Sequence, residues 1–219
     1  MIDKNLICKI CDYAMVKTDD DVLEIGAGTG NLTAEISKRC RNVTAIERDK
    51  RLVNFLVKRF ENNPKVNIIK GDALKISFPE FDKIIANIPY SISRKLTEKI
   101  LMYKFSTAIL VEQKEFAEKL TAKPKTKNYR AISVIVQGAS DVEILENIDR
   151  KVFFPVPAVD SVIVKIVQKF PVEENFINFV KGMFNRRNKI LKDFGKRIYE
   201  LTPYEIFELW NVSKNLLYQ

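Results

Sequence analysis

Between residues 21 and 111 the chain alternates short β-branched runs with stretches of helical period. The order is Val22–Ile25 then 31–39, Val43–Ile46 then 50–60, Val66–Ile69, Ile84–Ala86 then 92–103, and Thr107–Val111 then 113–121. Parallel strands need a long crossover, usually a helix, between them, so this rhythm predicts a doubly wound, mostly parallel sheet covered by helices. Two further runs, Ile132–Val136 and Val162–Val167, are strand-like without that spacing, and are expected to form an antiparallel edge, making seven strands. The alternation stops near Phe170–Pro171. Beyond it the apolar residues Phe176, Phe179, Val180, Met183 and Phe184, then Ile206, Phe207 and Trp210, recur at helical spacing. The expectation is an α/β domain over 1–170 and a small all-helical domain over 171–219, with 46% apolar residues to fill the core.

Charge and composition narrow the chemistry. Lysine and arginine number 37 against 28 acidic residues, a net charge of +9, and there is no histidine. Serine or cysteine catalysis with a histidine base and His-ligated zinc are therefore excluded. The positive balance favours a polyanionic partner, because neutralising phosphates supplies most non-specific nucleic-acid affinity. No apolar run approaches the roughly 20 residues that span a bilayer, and Met1–Lys4 has no signal-peptide pattern, so a cytoplasmic monomer is expected. Cys8 and Cys11 form a C-x-x-C, but the pair lies in a helical pattern with Leu6, Ile7, Ile10 and Ala14, and Cys40 is the only other cysteine. These read as small core residues and not as metal ligands.

The segment Val22-Leu23-Glu24-Ile25-Gly26-Ala27-Gly28-Thr29-Gly30-Asn31 runs from strand through three glycines into helix. Glycine there permits a tight turn and lets a ligand lie against the backbone. A dinucleotide fingerprint would need its third glycine one residue later. The E-x-G-x-G-x-G order is similar to motif I of S-adenosylmethionine-dependent methyltransferases, with Gly26 and Gly28 against the cofactor. Glu47 ends the second strand, about 20 residues on, where a carboxylate can bond ribose hydroxyls. Gly71-Asp72-Ala73 follows the third strand and puts Asp72 where it can accept from an adenine amino group. Each acid alone could equally be a cap or turn residue; their placement at successive strand ends favours the ligand.

Asn87-Ile88-Pro89-Tyr90 follows the fourth strand. Proline fixes its own φ and holds the preceding residue extended, so the Asn87 side chain and a neighbouring carbonyl of the 88–89 peptides can point at one spot. Two acceptors there suit an exocyclic amine. An adenine N6 lone pair is delocalised into the ring, and accepting from both N–H groups favours the pyramidal, nucleophilic form as charge develops. Tyr90 offers a face for a splayed base, a contact worth about 1–3 kcal/mol. The bland alternative is an Asn-x-Pro turn over a packed aromatic.

Asn87-Ile88-Pro89-Tyr90 resembles motif IV of the N6-adenine RNA methyltransferases, the group of ribosomal small-subunit RNA adenine dimethyltransferases and erythromycin-resistance methyltransferases. The likeness covers most of 2–192 and includes Ile2-Asp3-Lys4-Asn5, Glu112-Gln113-Lys114-Glu115-Phe116-Ala117, Tyr129 with Ser133-Val134, Phe153-Phe154-Pro155-Val156-Pro157 and Val159-Asp160-Ser161-Val162. It implies a Rossmann-like class I methyltransferase fold and S-adenosyl-L-methionine held by Gly26, Gly28, Glu47, Asp72, Ala73 and Asn87. Catalysis would rest on Asn87, Tyr90 and Phe153, the last covering the other face of a flipped adenine. The competing reading of Phe153 is an aromatic packed beside an edge strand.

Phe184-Asn185-Arg186-Arg187-Asn188-Lys189, followed by Leu191-Lys192, looks like the start of the C-terminal domain in the small-subunit dimethyltransferases. Residues 181–197 carry seven basic side chains against one acid, so Arg186, Arg187, Lys189 and Lys192 are expected on RNA phosphates, in place of a merely solvated helix face. The implied reaction is dimethylation of two adjacent adenines near the 3′ end of small-subunit ribosomal RNA. Alternatives are a resistance-type enzyme acting on large-subunit RNA, favoured by the isoleucine of the Asn-Ile-Pro-Tyr loop and the compact C-terminus, or an assembly or transcription factor with little methyltransferase activity. Three departures from the family pattern bear on this. A basic stretch with a Gly-Gln-Asn-Phe-Leu-like lid usually precedes the point where Met1 stands, which predicts a more open cofactor site. The family's Tyr-Gly-Arg-Leu-Ser is Tyr129-Arg130-Ala131-Ile132-Ser133, and the C-terminal part is short.

Overall fold

The computed structural model describes residues 3–153, 158–192 and 194–217. Helix α1 (Lys4–Ala14) opens at Asp3, whose carboxylate accepts the Leu6 N–H at 2.8 Å. Strands β1 (Asp21–Ile25), β2 (Asn42–Glu47), β3 (Val66–Lys70), β4 (Lys83–Asn87) and β5 (Thr107–Gln113) alternate with α2 (Asn31–Ile36), α3 (Lys50–Arg59), α4 (Ser93–Ile100) and α5 (Lys114–Leu120). Then come α6 (Ala131–Ala139), β6 (Ser140–Ile148), β7 (Ser161–Gln168), α7 (Glu174–Phe184), a hairpin of β8 (Ile190–Leu191) and β9 (Lys196–Arg197), and α8 (Pro203–Leu217).

The seven-stranded sheet has the order β3-β2-β1-β4-β5-β7-β6, parallel from β3 to β5, with β7 antiparallel to both β5 and β6. Strand order reverses between β1 and β4, and ligands of such sheets lie in the crevice beyond the carboxyl ends at that switch. Side chains divide between the two faces with period 2. Leu23, Ile25, Ile84, Ala86, Ala108 and Leu110 join the cluster beneath α4 to α8, whereas Val22, Val43, Ile85, Ile109 and Val111 join the one beneath α1 and α2. Phe176, Leu201, Ile206 and Trp210 from the C-terminal segment belong to the same cluster as the sheet residues.

Three expectations are corrected. Ile132–Val136 is helical, not a strand. Ser133 Oγ accepts the Arg130 N–H at 2.9 Å and caps α6, and seven of the nine α6 residues are buried. A helix enclosed on every side shows no amphipathic period, and burial overrides the β-preference of its branched residues. The antiparallel partner of β7 is instead β6, a half-exposed edge strand with an irregularity between Ile144 and Glu146. The C-terminal segment is not all-helical, because β8 and β9 interrupt it.

Cys11 and Cys40 are fully buried, and burial pushes their thiols up to about 12 and about 11; Cys8 is half-buried. Among the described residues no group of three or more histidine, cysteine or acidic side chains is placed to hold a metal, and no helix is long and apolar enough to cross a membrane.

Candidate active site

The glycine loop after β1 and the Asn87 loop after β4 meet at the switch. Gly26 has φ +79°, and a Cβ there would sit 3.3 Å from the Asn87 carbonyl oxygen, so only glycine lets the two loops touch. Gly30, at φ +78°, faces Leu56 and Phe60 so closely that a Cβ would lie 2.6 Å from the leucine methyl. Glu47 organises this loop: Oε2 accepts the Gly28 N–H at 2.9 Å, and Oε1 accepts those of Arg48 at 2.7 Å and Asp49 at 2.9 Å. A carboxylate oxygen has two lone pairs, so Oε2 keeps one for a hydroxyl. Asp72 Oδ1 accepts the Leu74 N–H at 2.9 Å, and Ala73 is buried beside it, its carbonyl accepting from Lys99 Nζ at 2.7 Å. Gly26, Gly28, Glu47, Asp72 and Ala73 thus line the carboxyl ends of β1, β2 and β3.

Asn87 ends β4 opposite Val111 of β5 and is half-buried. Among the described residues none bonds its side-chain amide. The loop that follows is pinned in three places: the Ile88 N–H donates to the Val111 carbonyl at 3.3 Å, the Tyr90 hydroxyl bonds Ser161 Oγ of β7 at 2.6 Å, and the Ser93 hydroxyl donates to Glu112 Oε2 of β5 at 2.5 Å. Phe153 stands elsewhere. It is only 8% exposed and packs in the cluster with Ile148, Ile163 and the α1 residues, and 154–157, the rest of its motif, lie outside the described residues.

Two buried acids were not marked by the sequence. Glu24 in β1 is 1% exposed and accepts the Thr33 hydroxyl at 2.5 Å; burial raises it to about 8. Glu112 is wholly buried, Oε1 has no partner among the described residues, and burial also raises it to about 8 against the Ser93 hydrogen bond. A glutamate in a strand carries no local sign of which face it takes.

A cleft of about 280 Å³ runs past Tyr90, Arg94, Gln113, Phe116 and Lys119. It shares Arg94, Phe116 and Lys119 with a groove of about 460 Å³ that continues to Arg130, Asn185 and Arg187. Burial and the nearby Arg187 guanidinium lower the Arg130 pKa, the mark of two cations held close together. In the basic segment Arg186, Lys189 and Lys192 are exposed, and Arg187 lies over the Tyr199 ring at 5.1 Å. Lys181 is paired with Glu98 at 2.5 Å and Lys196 with Glu205 at 2.6 Å, so the free charge is smaller than the sequence count. Asp193 lies outside the described residues.

Residues 1–214 match the family model described as ribosomal RNA adenine dimethylase. A probable ribosomal RNA small subunit methyltransferase A of Thermococcus sibiricus is 41% identical over 204 residues, covering 92% of this chain and 74% of that protein. The protein of the same name from Methanosarcina barkeri is 41% identical over 198 residues, covering 88% and 69%. Among solved structures, a dimethyladenosine transferase from Plasmodium falciparum superposes with a TM-score of 0.86 at 30% identity over 95% of both chains. The 23S rRNA methyltransferase ErmE gives 0.69 at 30% identity over 84% of this chain and 77% of that one.

Proposed function

The chain belongs to the ribosomal RNA adenine dimethylase family, and from that premise we propose that it transfers methyl groups from S-adenosyl-L-methionine to N6 of two adjacent adenines near the 3′ end of small-subunit ribosomal RNA. The observation that carries this reading is the Asn87 side-chain amide, unbonded among the described residues and fixed beside the glycine loop through the contact between Gly26 and the Asn87 carbonyl.

The residues at the strand ends fit the cofactor: Gly26 and Gly28 leave room at the backbone, Glu47 Oε2 has a lone pair for a ribose hydroxyl, and Asp72 with Ala73 suits the adenine end. Bound there, S-adenosyl-L-methionine supplies an electrophilic methyl whose departure leaves a neutral thioether, so no strong acid is needed. Asn87 Oδ1 and a carbonyl of the 88–89 peptides accept from the two N–H groups of the substrate amine and favour its pyramidal form. Tyr90, its hydroxyl held by Ser161, offers a fixed face for the flipped base. For Phe153 to close on the other face it must leave the cluster under α1. Proximity and orientation supply most of the acceleration, which suits a chain without histidine.

Methyl transfer is assigned to residues 1–170 and docking to 171–219, where Arg186, Arg187, Lys189 and Lys192 take phosphates and the groove past Arg130 leads the strand towards Tyr90. Methyl incorporation into unmethylated small subunits tests the reading. Asn87→Ala should lower kcat by about 10²–10³-fold, as loss of one preorganised hydrogen-bonding group does. Full activity in that variant would overturn the mechanism, and modification confined to large-subunit RNA on primer extension would overturn the substrate.

A further inference from the structure

We propose that Glu112 is a positioning residue for methyl transfer: its carboxyl latches Ser93, and through Ser93 the whole 87–92 loop, to strand β5. The inference rests on the methyl-transfer reading and extends it to a group that touches neither base nor cofactor.

The geometry is that of a clasp. Ser93 is the first residue of α4 and follows directly on the loop that carries Asn87 and Tyr90. Its hydroxyl, 4% exposed as a residue, donates to a carboxyl that is itself 0% exposed. The neighbouring pins use β5 and β7 as well, at Val111 and at Ser161, and Ser161 stands opposite Gln113 in the register of those strands. Residues 88, 90 and 93 are therefore held by the strand ends at 111, 161 and 112. The other two pins are a backbone bond and a bond between hydroxyls; the one at Ser93 alone ends on a carboxyl. Releasing it frees the helix end on which the loop terminates.

The carboxyl also leaves Oε1 without a partner among the described residues, which is costly for a buried oxygen and far costlier for a charged one. A group needed only to fill space at this position would be apolar. The charged residues around it are engaged elsewhere: Arg94 with Glu98 on α4, Lys119 with Glu115 on α5, and Asp160 before β7 with Arg150. Lys95 and Lys114 are exposed, Tyr90 bonds Ser161, and the partner of Glu112 across β7 is Val162. Among the described residues no cation stabilises an ionised Glu112, so the latch operates in the uncharged form and burial holds the carboxyl there up to about pH 8.

A glutamine should then replace it, since an amide oxygen accepts from Ser93 without a charge. Wild-type, Glu112→Gln, Glu112→Ala and Ser93→Ala proteins are assayed for methyl incorporation into unmethylated small subunits from pH 6.5 to 9.5, with folding checked by circular dichroism at each pH. The expected result has three parts. Glu112→Ala and Ser93→Ala lose about 10- to 100-fold in kcat with the KM for S-adenosyl-L-methionine within about 2-fold, the signature of a misplaced reacting group. Glu112→Gln keeps kcat within about 3-fold of wild type at pH 7, because it restores the latch. The wild type loses about 5-fold between pH 8 and 9, as one ionisation at about 8 requires, and Glu112→Gln does not.

Glu112→Gln as inactive as Glu112→Ala would overturn the latch, as would an alkaline limb that survives the glutamine or a folded Ser93→Ala protein with full kcat. If Glu112→Ala fails to fold, Ser93→Ala and the glutamine profile decide. A wild-type protein that methylates no small subunit would defeat the methyl-transfer reading itself, whereas an active wild type with indifferent variants defeats the latch alone.

Discussion

Stability should fall steeply as pH rises from 5 to 8, and the absence of histidine makes this measurable. Glu24 and Glu112 have an ordinary value of 4.5 and a folded value of about 8. Between those limits the folded chain holds two protons that the unfolded chain releases. Their contribution is therefore fully present below pH 4.5, is lost as pH rises, and is flat above about 8. Each proton gives about 1.4 kcal/mol per pH unit, so the wild-type slope is about −2.7 kcal/mol per unit. From pH 5 to 7.5 that amounts to about 7 kcal/mol, a large share of a domain stability of about 5–15 kcal/mol. Asp21, Glu35, Asp49, Glu146 and Glu205 are shifted down by their hydrogen-bonded partners, so what they contribute is lost only as pH falls through the acid range below this window. Histidine, which would confuse such a curve in most proteins, is missing. Urea unfolding at half-unit intervals gives the slope. Glu24→Gln should halve it to about −1.4 kcal/mol per unit. The amide still accepts from Thr33 but brings unpartnered N–H groups, costing about 1–3 kcal/mol at every pH, which displaces the line without tilting it. A wild-type curve flat from pH 5 to 8, or a slope that Glu24→Gln leaves unchanged, would refute the account of these acids as buried and neutral.

Other perturbations have simpler outcomes. Gly30→Ala forces a left-handed φ on alanine and drives its Cβ into Leu56 and Phe60, and should cost about 2–4 kcal/mol in chemical denaturation. Tyr90→Phe keeps the ring and should leave substrate affinity within a few-fold, whereas Tyr90→Ala should lose about 1–3 kcal/mol of stacking in RNA-binding titrations. Removing Lys189 or Lys192 should weaken RNA binding uniformly and reduce the salt slope by about 1 each, while Lys181→Met should leave the slope unchanged and lower the melting temperature by leaving Glu98 with Arg94 as its one remaining partner among the described residues. Equal salt effects at Lys181 and Lys192 would contradict the division between paired and free cations.

Much of the candidate site was legible because its residues follow parallel strands in succession. Once β1 to β4 are recognised as a doubly wound sheet, Gly26, Glu47, Asp72 and Asn87 must gather at the same end. Geometry finer than that was not written in the chain. The contact of Gly26 with the Asn87 carbonyl joins loops 61 residues apart, and the pairing of Lys181 with Glu98 spans 83. Helix α6 was misread because Ile132, Val134, Ile135 and Val136 are all buried, which leaves neither helical nor strand period to detect. Strand β6 was missed for the opposite reason: Asp141, Glu143 and Glu146 break its apolar face at an exposed sheet edge. Phe153 shows that a family motif can name a residue without saying whether it stands open or packed.

The burial of α6 has a consequence during synthesis. Ile132-Ser133-Val134-Ile135-Val136 is β-branched, uncharged and free of proline, the composition from which intermolecular β-structure nucleates. In the finished protein α7 and α8 pack over this helix, but both are made after it. Until α7 and α8 have left the ribosome, the segment has α4, α5 and the sheet to shelter it. A chain cut at 170 would therefore be expected to aggregate even though every residue assigned to methyl transfer remains, and the C-terminal part covers the nascent enzyme before any role it has in the finished one.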